Sequence, residues 1–188
     1  MKSALPLGFL VTSLCFLSAC GESQTPSFRQ YQEISKTTSL SKQSPSLTWR
    51  TPLTWKEKST QGMRLATFAI ELEGQTGLCT IVRLSGAMGS LDANVRRWLR
   101  QLKISLSSEE LKEFVGQASV LTSRSGMKGK FFDFNGLMQE DSDASIMVVY
   151  FQDGEEHLFV KMTGEKSLLE RERERFLDLN MSLRGGAL

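Results

Sequence analysis

Histidine is nearly absent from this 188-residue chain: His157 stands alone, beside three cysteines, Cys15, Cys20 and Cys79. Zinc sites draw several Cys and His ligands from close spacings, and no such spacing exists here. A Ser/His/Asp or Cys/His nucleophile would have to work through His157, which sits beside Glu155 and Glu156. The Gly-x-Ser-x-Gly elbow of the serine hydrolases is missing. So are the glycine-rich fingerprints that cradle phosphates. Gly86-Ala87-Met88-Gly89 precedes a helical pattern but reads as a strand-to-helix turn. The acidic run Glu140-Asp141-Ser142-Asp143 lacks the glycine and the twelfth-position glutamate of a calcium loop and reads as a solvated hairpin tip. Neither charge sign dominates: 23 Lys and Arg against 21 Asp and Glu leave a net charge of +2. That balance supplies no bulk attraction to nucleic acid or to anionic lipid, so either contact would need a local cluster of charge. The expectation is a domain without metal, cofactor or catalytic site, and without a nucleic-acid partner. The longest apolar run, Ala4 to Ser18, is shorter than the roughly 20 residues that span a bilayer.

That run has the form of an export signal. Lys2 supplies a positive start, the apolar stretch follows, and Leu17-Ser18-Ala19-Cys20 closes it, with Gly21 next. The tetrapeptide resembles the bacterial lipobox: an apolar residue, two small ones, then cysteine. Small residues admit a peptidase to the Ala19–Cys20 bond, and the Cys20 thiol takes the diacylglycerol. The alternatives are a signal peptide cut elsewhere or an uncleaved anchor helix. Lipoprotein processing removes residues 1–19, and the loss of Lys2 leaves a mature charge of +1. Each buried CH₂ of the anchor contributes about 0.8 kcal/mol, so several acyl chains hold the chain at a membrane permanently. Asp after the lipidated cysteine signals inner-membrane retention in diderm bacteria. Gly21 in that place implies the outer membrane, facing the periplasm, for a diderm host. Cys79 is then the only free thiol, and is expected to be buried, because an oxidising compartment leaves no partner for a disulfide.

Residues 20–46 are rich in Ser, Thr, Gln and Lys, with Pro26 and Pro45. They read as a flexible tether, or a tether with a short helix over Phe28 to Ile34. About 25 such residues reach roughly 25–30 Å. A single globular domain is expected over 47–184, with 185–188 as a tail. Thr48-Trp49-Arg50 and Leu53-Thr54-Trp55 flank Thr51-Pro52 and predict strand, turn, strand. Met63 to Leu72 alternates, with Ala66, Phe68, Ile70 and Leu72 on one apolar face. Gly74-Gln75-Thr76-Gly77 predicts a turn, and Leu78 to Leu84 the next strand. Ser90 to Leu102 predicts a helix with Leu91, Val95, Trp98 and Leu102 in one stripe. Ser107 to Phe114 predicts a second, opened by a capping box of Ser107 and Glu110. Strands follow over Ala118–Arg124, Lys130–Phe134, Ser145–Phe151 and His157–Met162, the last two joined by an Asp153-Gly154 hairpin. Lys166 to Leu183 predicts a closing helix, whose Glu170 to Arg175 run of alternating signs reads as a solvated surface. His157 is expected as a polar residue at a strand edge. The fold class is α+β, a mostly antiparallel sheet covered by helices.

On the first of these helices Arg96, Arg100 and Lys103 share a face and make a candidate contact with an anionic surface. Three stretches carry a second resemblance: Trp55 with Met63 to Phe68; Asn94-Val95-Arg96-Arg97-Trp98-Leu99-Arg100-Gln101; and Val160-Lys161-Met162-Thr163-Gly164, with Phe176 and Ser182-Leu183-Arg184. Together they resemble exported bacterial proteins carrying an Asn-Val-Asn-Arg-Trp-Arg-Gly-Gln-like helix and a Phe-Lys-Met-Thr-Gly strand end. The layout of those proteins is similar to the Mog1/PsbP-like α/β/α sandwich. The resemblance covers about residues 47–184 and places Asn94, Arg97, Trp98 and Gln101 on the helix motif. Arg96, Leu99 and Arg100 depart from it. Those four matching residues are a structural motif, or the rim of a binding groove beside Trp98. The resemblance implies accessory or partner-binding roles and no catalytic activity. The function expected is a membrane-anchored, non-catalytic domain that binds a protein partner in the envelope. The alternatives are a lipid- or small-ligand-binding lipoprotein and an enzyme with a carboxylate-based site.

Overall fold

The computed structural model describes residues 47–86, 90–140 and 142–185. The proposed signal peptide, Cys20, the tether, Ala87 to Gly89 of the strand-to-helix turn, Asp141 of the acidic run and residues 186–188 of the tail lie outside the described residues. The chain divides after Ser41, and all described residues belong to the compact unit Lys42–Leu188.

Seven strands form one antiparallel sheet: β1 (Lys56–Glu57), β2 (Arg64–Leu72), β3 (Gln75–Ser85), β4 (Ser119–Thr122), β5 (Lys128–Asp133), β6 (Ser145–Asp153) and β7 (Glu156–Gly164). Their spatial order is β1-β2-β3-β7-β6-β5-β4, so two meanders meet where β7 pairs with β3. Among the described residues three α-helices accompany them, α1 (Leu91–Gln101), α2 (Ser108–Gly116) and α3 (Lys166–Ser182). The fold is α+β, as the patterning predicts.

Alternation along the strands explains the layering. Phe68 and Ile70 of β2, Cys79 and Ile81 of β3, Met147 and Val149 of β6, and Val160 and Met162 of β7 point to one face. There they pack with Leu168, Leu169, Phe176 and Leu179 of α3. Phe132 of β5, Val148 and Tyr150 of β6, and Phe159 of β7 point to the other, against Val95, Trp98 and Leu99 of α1 and Leu111 of α2. Each fully buried side chain of this size contributes about 1.5–3 kcal/mol relative to exposure.

Local chemistry sets the helix starts. Ser90 Oγ accepts from the Ala93 N–H at 3.2 Å and caps α1. Ser107 and Glu110 form the reciprocal capping box expected for α2: Glu110 N–H to Ser107 Oγ at 3.2 Å, Ser107 N–H to Glu110 Oε2 at 2.7 Å.

Several expectations are corrected. Thr48 to Trp55 is not a strand pair: Thr48 makes one isolated bridge to Arg184, residues 53–54 turn, and β1 is two residues long. Pro52 has no N–H to give a ladder, and Trp55 turns inward instead. The β2–β3 turn is Glu73-Gly74, both at positive φ (50° and 83°), so Gln75 to Gly77 already belong to β3. Mirror-image turns of this kind match the strand twist, and glycine makes them cheap. In the β6–β7 hairpin Asp153 pairs with Glu156, so Gly154 (φ 58°) and Glu155 are the turn. The acidic run, by contrast, falls as expected in the connection between the paired antiparallel strands β5 and β6, after a 3₁₀ turn (Asn135–Leu137), with Glu140 and Asp143 exposed and Glu140 Oε1 accepting from Lys166 Nζ at 2.6 Å. The alternating charges of α3 are not all solvated. Glu172 is 1% exposed, accepting from Trp55 Nε1 and from Arg175 Nη1, each at 2.7 Å. His157 is not at an edge but buried at the hairpin end of β7, between β3 and β6.

Candidate functional site

On the α1 side of the sheet the helices pack over β5, β6 and β7. Of β1 to β3, the core on that side includes only the end residue Leu84, partly buried, among the described residues. A row of side chains runs out from under the helix edge: Val148 of β6, Lys161 of β7, Thr80 of β3 and Thr67 of β2, each paired in register with the next. Lys161 interrupts the apolar strand Val160-Lys161-Met162 because alternation turns it away from the α3 core.

Two more cations lie close enough to act on it. Burial holds the Lys161 ammonium below its usual pKa of 10.5, and the charges of Arg97, on α1, and Arg64, opening β2, push the same way. No carboxylate forms an ion pair with Lys161, Arg97 or Arg64 among the described residues. Arg97 is oriented instead by Asn94: its Nη2 donates to Asn94 Oδ1 at 2.6 Å, while Asn94 Nδ2 donates to the Ser90 carbonyl at 3.2 Å. The hydroxyl of Thr67 is buried and has no hydrogen-bond partner among the described residues. Three cations and a row of hydroxyls make a surface that stabilises a carboxylate or phosphate. They offer donors, not a nucleophile with its base.

The residues singled out from the sequence are divided by the fold. Asn94 and Arg97 come together as described. Trp98 is 3% exposed, with the rings of Phe132, Phe134 and Phe159 about it at centroid distances of 6.1–6.3 Å. It is a core anchor, with aromatic side chains packed around it. Gln101 ends α1 in solvent. Arg96 and Arg100 line one shallow cavity of about 170 Å³ with Leu99, Ile104 and Leu106, and Arg96 reaches Ser108 Oγ at 3.4 Å. Lys103 leaves them: it lies beyond the helix at φ 59°, so helical spacing no longer places it. Cys20 lies outside the described residues. Sequence reasoning missed Arg64, Thr67, Thr80 and Lys161. The available signal was a lysine in an otherwise apolar strand end; its neighbours in space come from distant segments.

Cys79 and His157 lie inside the fold. Cys79 is fully buried, and burial raises its thiol pKa far above the usual range. His157 Nδ1 shares a 2.7 Å hydrogen bond with Tyr150 Oη, and the two rings stack. Among the described residues no three His, Cys, Asp or Glu side chains gather to hold a metal ion. No known protein family matches the chain, and a search of curated proteins finds no relative.

Proposed function

We propose that this chain is an exported lipoprotein, anchored through Cys20, whose domain is a non-catalytic module that receives an acidic segment of a protein partner in the cell envelope. The lipobox Leu17-Ser18-Ala19-Cys20 supports the anchor and, with Gly21, an outer-membrane address facing the periplasm in a diderm host. The observation that carries the binding role is the uncompensated convergence of Arg64, Arg97 and Lys161 at the open half of the sheet. An arriving carboxylate offsets the burial that chiefly lowers the Lys161 pKa and the added repulsion from Arg97 and Arg64, so binding is coupled to that cluster. The Asn94 to Gln101 helix and a seven-stranded antiparallel sheet with helices on both faces support a Mog1/PsbP-like relationship.

Two measurements test this. Metabolic labelling with a fatty-acid probe should mark the wild-type chain and not the Cys20→Ser variant; an unlabelled wild type refutes the anchor. Cross-linking in intact cells should trap a partner that Arg97→Glu and Lys161→Glu each release. A trapped protein indifferent to both charge reversals refutes the binding face.

A further inference from the structure

The other side of the domain carries a second cationic group, at the point where the chain enters it. Leu47 and Thr48 begin the described domain, and Thr48 bridges to Arg184 past the end of α3. A cavity of about 260 Å³ opens there, lined by Trp49, Arg50, Arg124 and Arg184 with Thr48 and Ser182. All three arginines are exposed, and none of their guanidinium groups makes an ion pair or hydrogen bond among the described residues. Their backbones are what the fold holds: Arg50 N–H donates to Ser182 Oγ at 2.8 Å, Arg124 N–H to the Met181 carbonyl at 2.9 Å, and Arg184 N–H to the Thr48 carbonyl at 2.8 Å. The backbones of the three arginines are therefore held by the fold while their side-chain donors stay open.

Apolar groups project beside them. Leu53 is the most exposed large hydrophobic side chain among the described residues and lines the adjoining cavity, which shares Arg50. Met181, in the last turn of α3, is 40% exposed. Trp49 is half-buried, its ring edge-on to Phe68 at 6.4 Å. Arginines beside exposed aliphatic groups and a half-buried indole suit a bilayer interface: guanidinium groups meet lipid phosphates, and Trp and Leu enter the headgroup region. Arg175 and Asp178 flank the adjoining cavity with opposite signs and leave the excess positive.

We infer that this face, built from Arg50, Arg124, Arg184, Trp49, Leu53 and Met181, docks the domain on an anionic phospholipid surface. The inference rests on the proposed lipid anchor for its biological setting; the described chain begins at Leu47, next to Thr48 of this cavity. Docking the α3 side turns the α1 side, with Arg64, Arg97 and Lys161, away from the lipid and toward a partner.

The test uses the segment 42–188, which lacks Cys20 and contains both cores and every described strand and helix. It is sedimented with vesicles of phosphatidylglycerol and phosphatidylcholine, and with vesicles of phosphatidylcholine alone. Expected is binding to the anionic vesicles only, weakened by salt, with tryptophan emission moving to the blue as Trp49 loses water. Each of Arg50→Gln, Arg124→Gln and Arg184→Gln should weaken binding about fivefold, and the triple variant on the order of a hundredfold. Leu53→Ser should weaken it without altering its salt dependence. The arginines make no side-chain bonds, so thermal unfolding of the triple variant should match wild type. Equal binding to neutral vesicles, an unaffected triple variant, or equal loss with Lys161→Gln overturns the proposal. So does binding of inorganic phosphate that competes fully with vesicles, which marks a soluble anion site. Fatty-acid labelling of the full chain reads the anchor separately. A labelled chain whose segment ignores anionic vesicles refutes only the docking face; an unlabelled chain whose segment binds them refutes only the anchor.

Discussion

Replacing Glu172 with Leu isolates what a buried carboxylate does in this core. Glu172 lies on α3, one side-chain oxygen accepting from the indole N–H of Trp55 and the other from Arg175, each at 2.7 Å. Its side chain is 2% exposed, whereas that of Arg175 is 47% exposed. Leucine is close in volume and leaves no large cavity, so the transfer and cavity losses of core truncation are small. Arg175 returns to water at little expense, because a half-exposed ion pair is worth well under the Coulomb value. The Trp55 indole, itself 5% exposed, cannot do so: its N–H loses an acceptor with no water to replace it. A hydrogen bond to a charged acceptor is worth about 1.5–3 kcal/mol, and orphaning the donor sets the scale at about 2–3 kcal/mol. For a domain of this size that lowers the melting temperature by roughly 8 °C. Glu172→Gln keeps one carbonyl acceptor and should lose about 1 kcal/mol. The assay is chemical denaturation of Glu172→Leu, Trp55→Phe and the double variant. In Trp55→Phe the donor is gone, so Glu172→Leu on that background should be nearly neutral, and the cycle should show a coupling of about 2 kcal/mol. Additive losses in the cycle would refute the reasoning. So would a Glu172→Leu variant as stable as wild type, showing that the desolvation of the carboxylate outweighs its bonds.

Four further outcomes follow from the structure. A methyl group added at Gly129 meets Phe151 Cε1 at 2.6 Å and Val149 Cγ1 at 2.9 Å, both core side chains, so Gly129→Ala should destabilise the domain by about 1–3 kcal/mol in urea. Gly126→Ala strains a backbone at φ 86° but meets no neighbour, and should lose less. Cys79, buried and with its thiol pKa raised, should resist a thiol reagent in the native state and react only on opening, with denaturant dependence matching global unfolding. The folded-state pKa of Lys161 lies below its unfolded value of 10.5, so the unfolded chain binds more protons between the two. Stability from this group therefore rises with pH across that alkaline window. Lys161→Met should gain stability over wild type at neutral pH, and the gain should shrink as pH rises through the Lys161 pKa. A gain independent of pH would show that packing alone is responsible.

Alternation in β2 was readable because Ala66, Phe68 and Ile70 face a core continuous along the strand, and α1 because its stripe and its Ser90 cap agree. The segment Thr48 to Trp55 misleads for a physical reason: β-branched and aromatic residues suit strands, but here Trp55 serves as a buried donor to Glu172, 117 positions away. Glu172 looks solvated for the same reason, since the i,i+3 partner Arg175 is visible in the sequence and Trp55 is not. The candidate site divides likewise. Asn94 and Arg97 are one helical turn apart, so their hydrogen bond is local and legible.

By itself the sequence determined the export-signal pattern, the positions of most strands and helices, and the scarcity of histidine and cysteine, because each is read from composition or from neighbours within a few turns of chain. The tertiary structure alone decided which charges meet. Arg64, Arg97 and Lys161 come from β2, α1 and β7, and Arg50, Arg124 and Arg184 from three separate segments around one cavity. Electrostatic repulsion and attraction depend on distance in space, and no local pattern records a distance set by the pairing of β7 with β3.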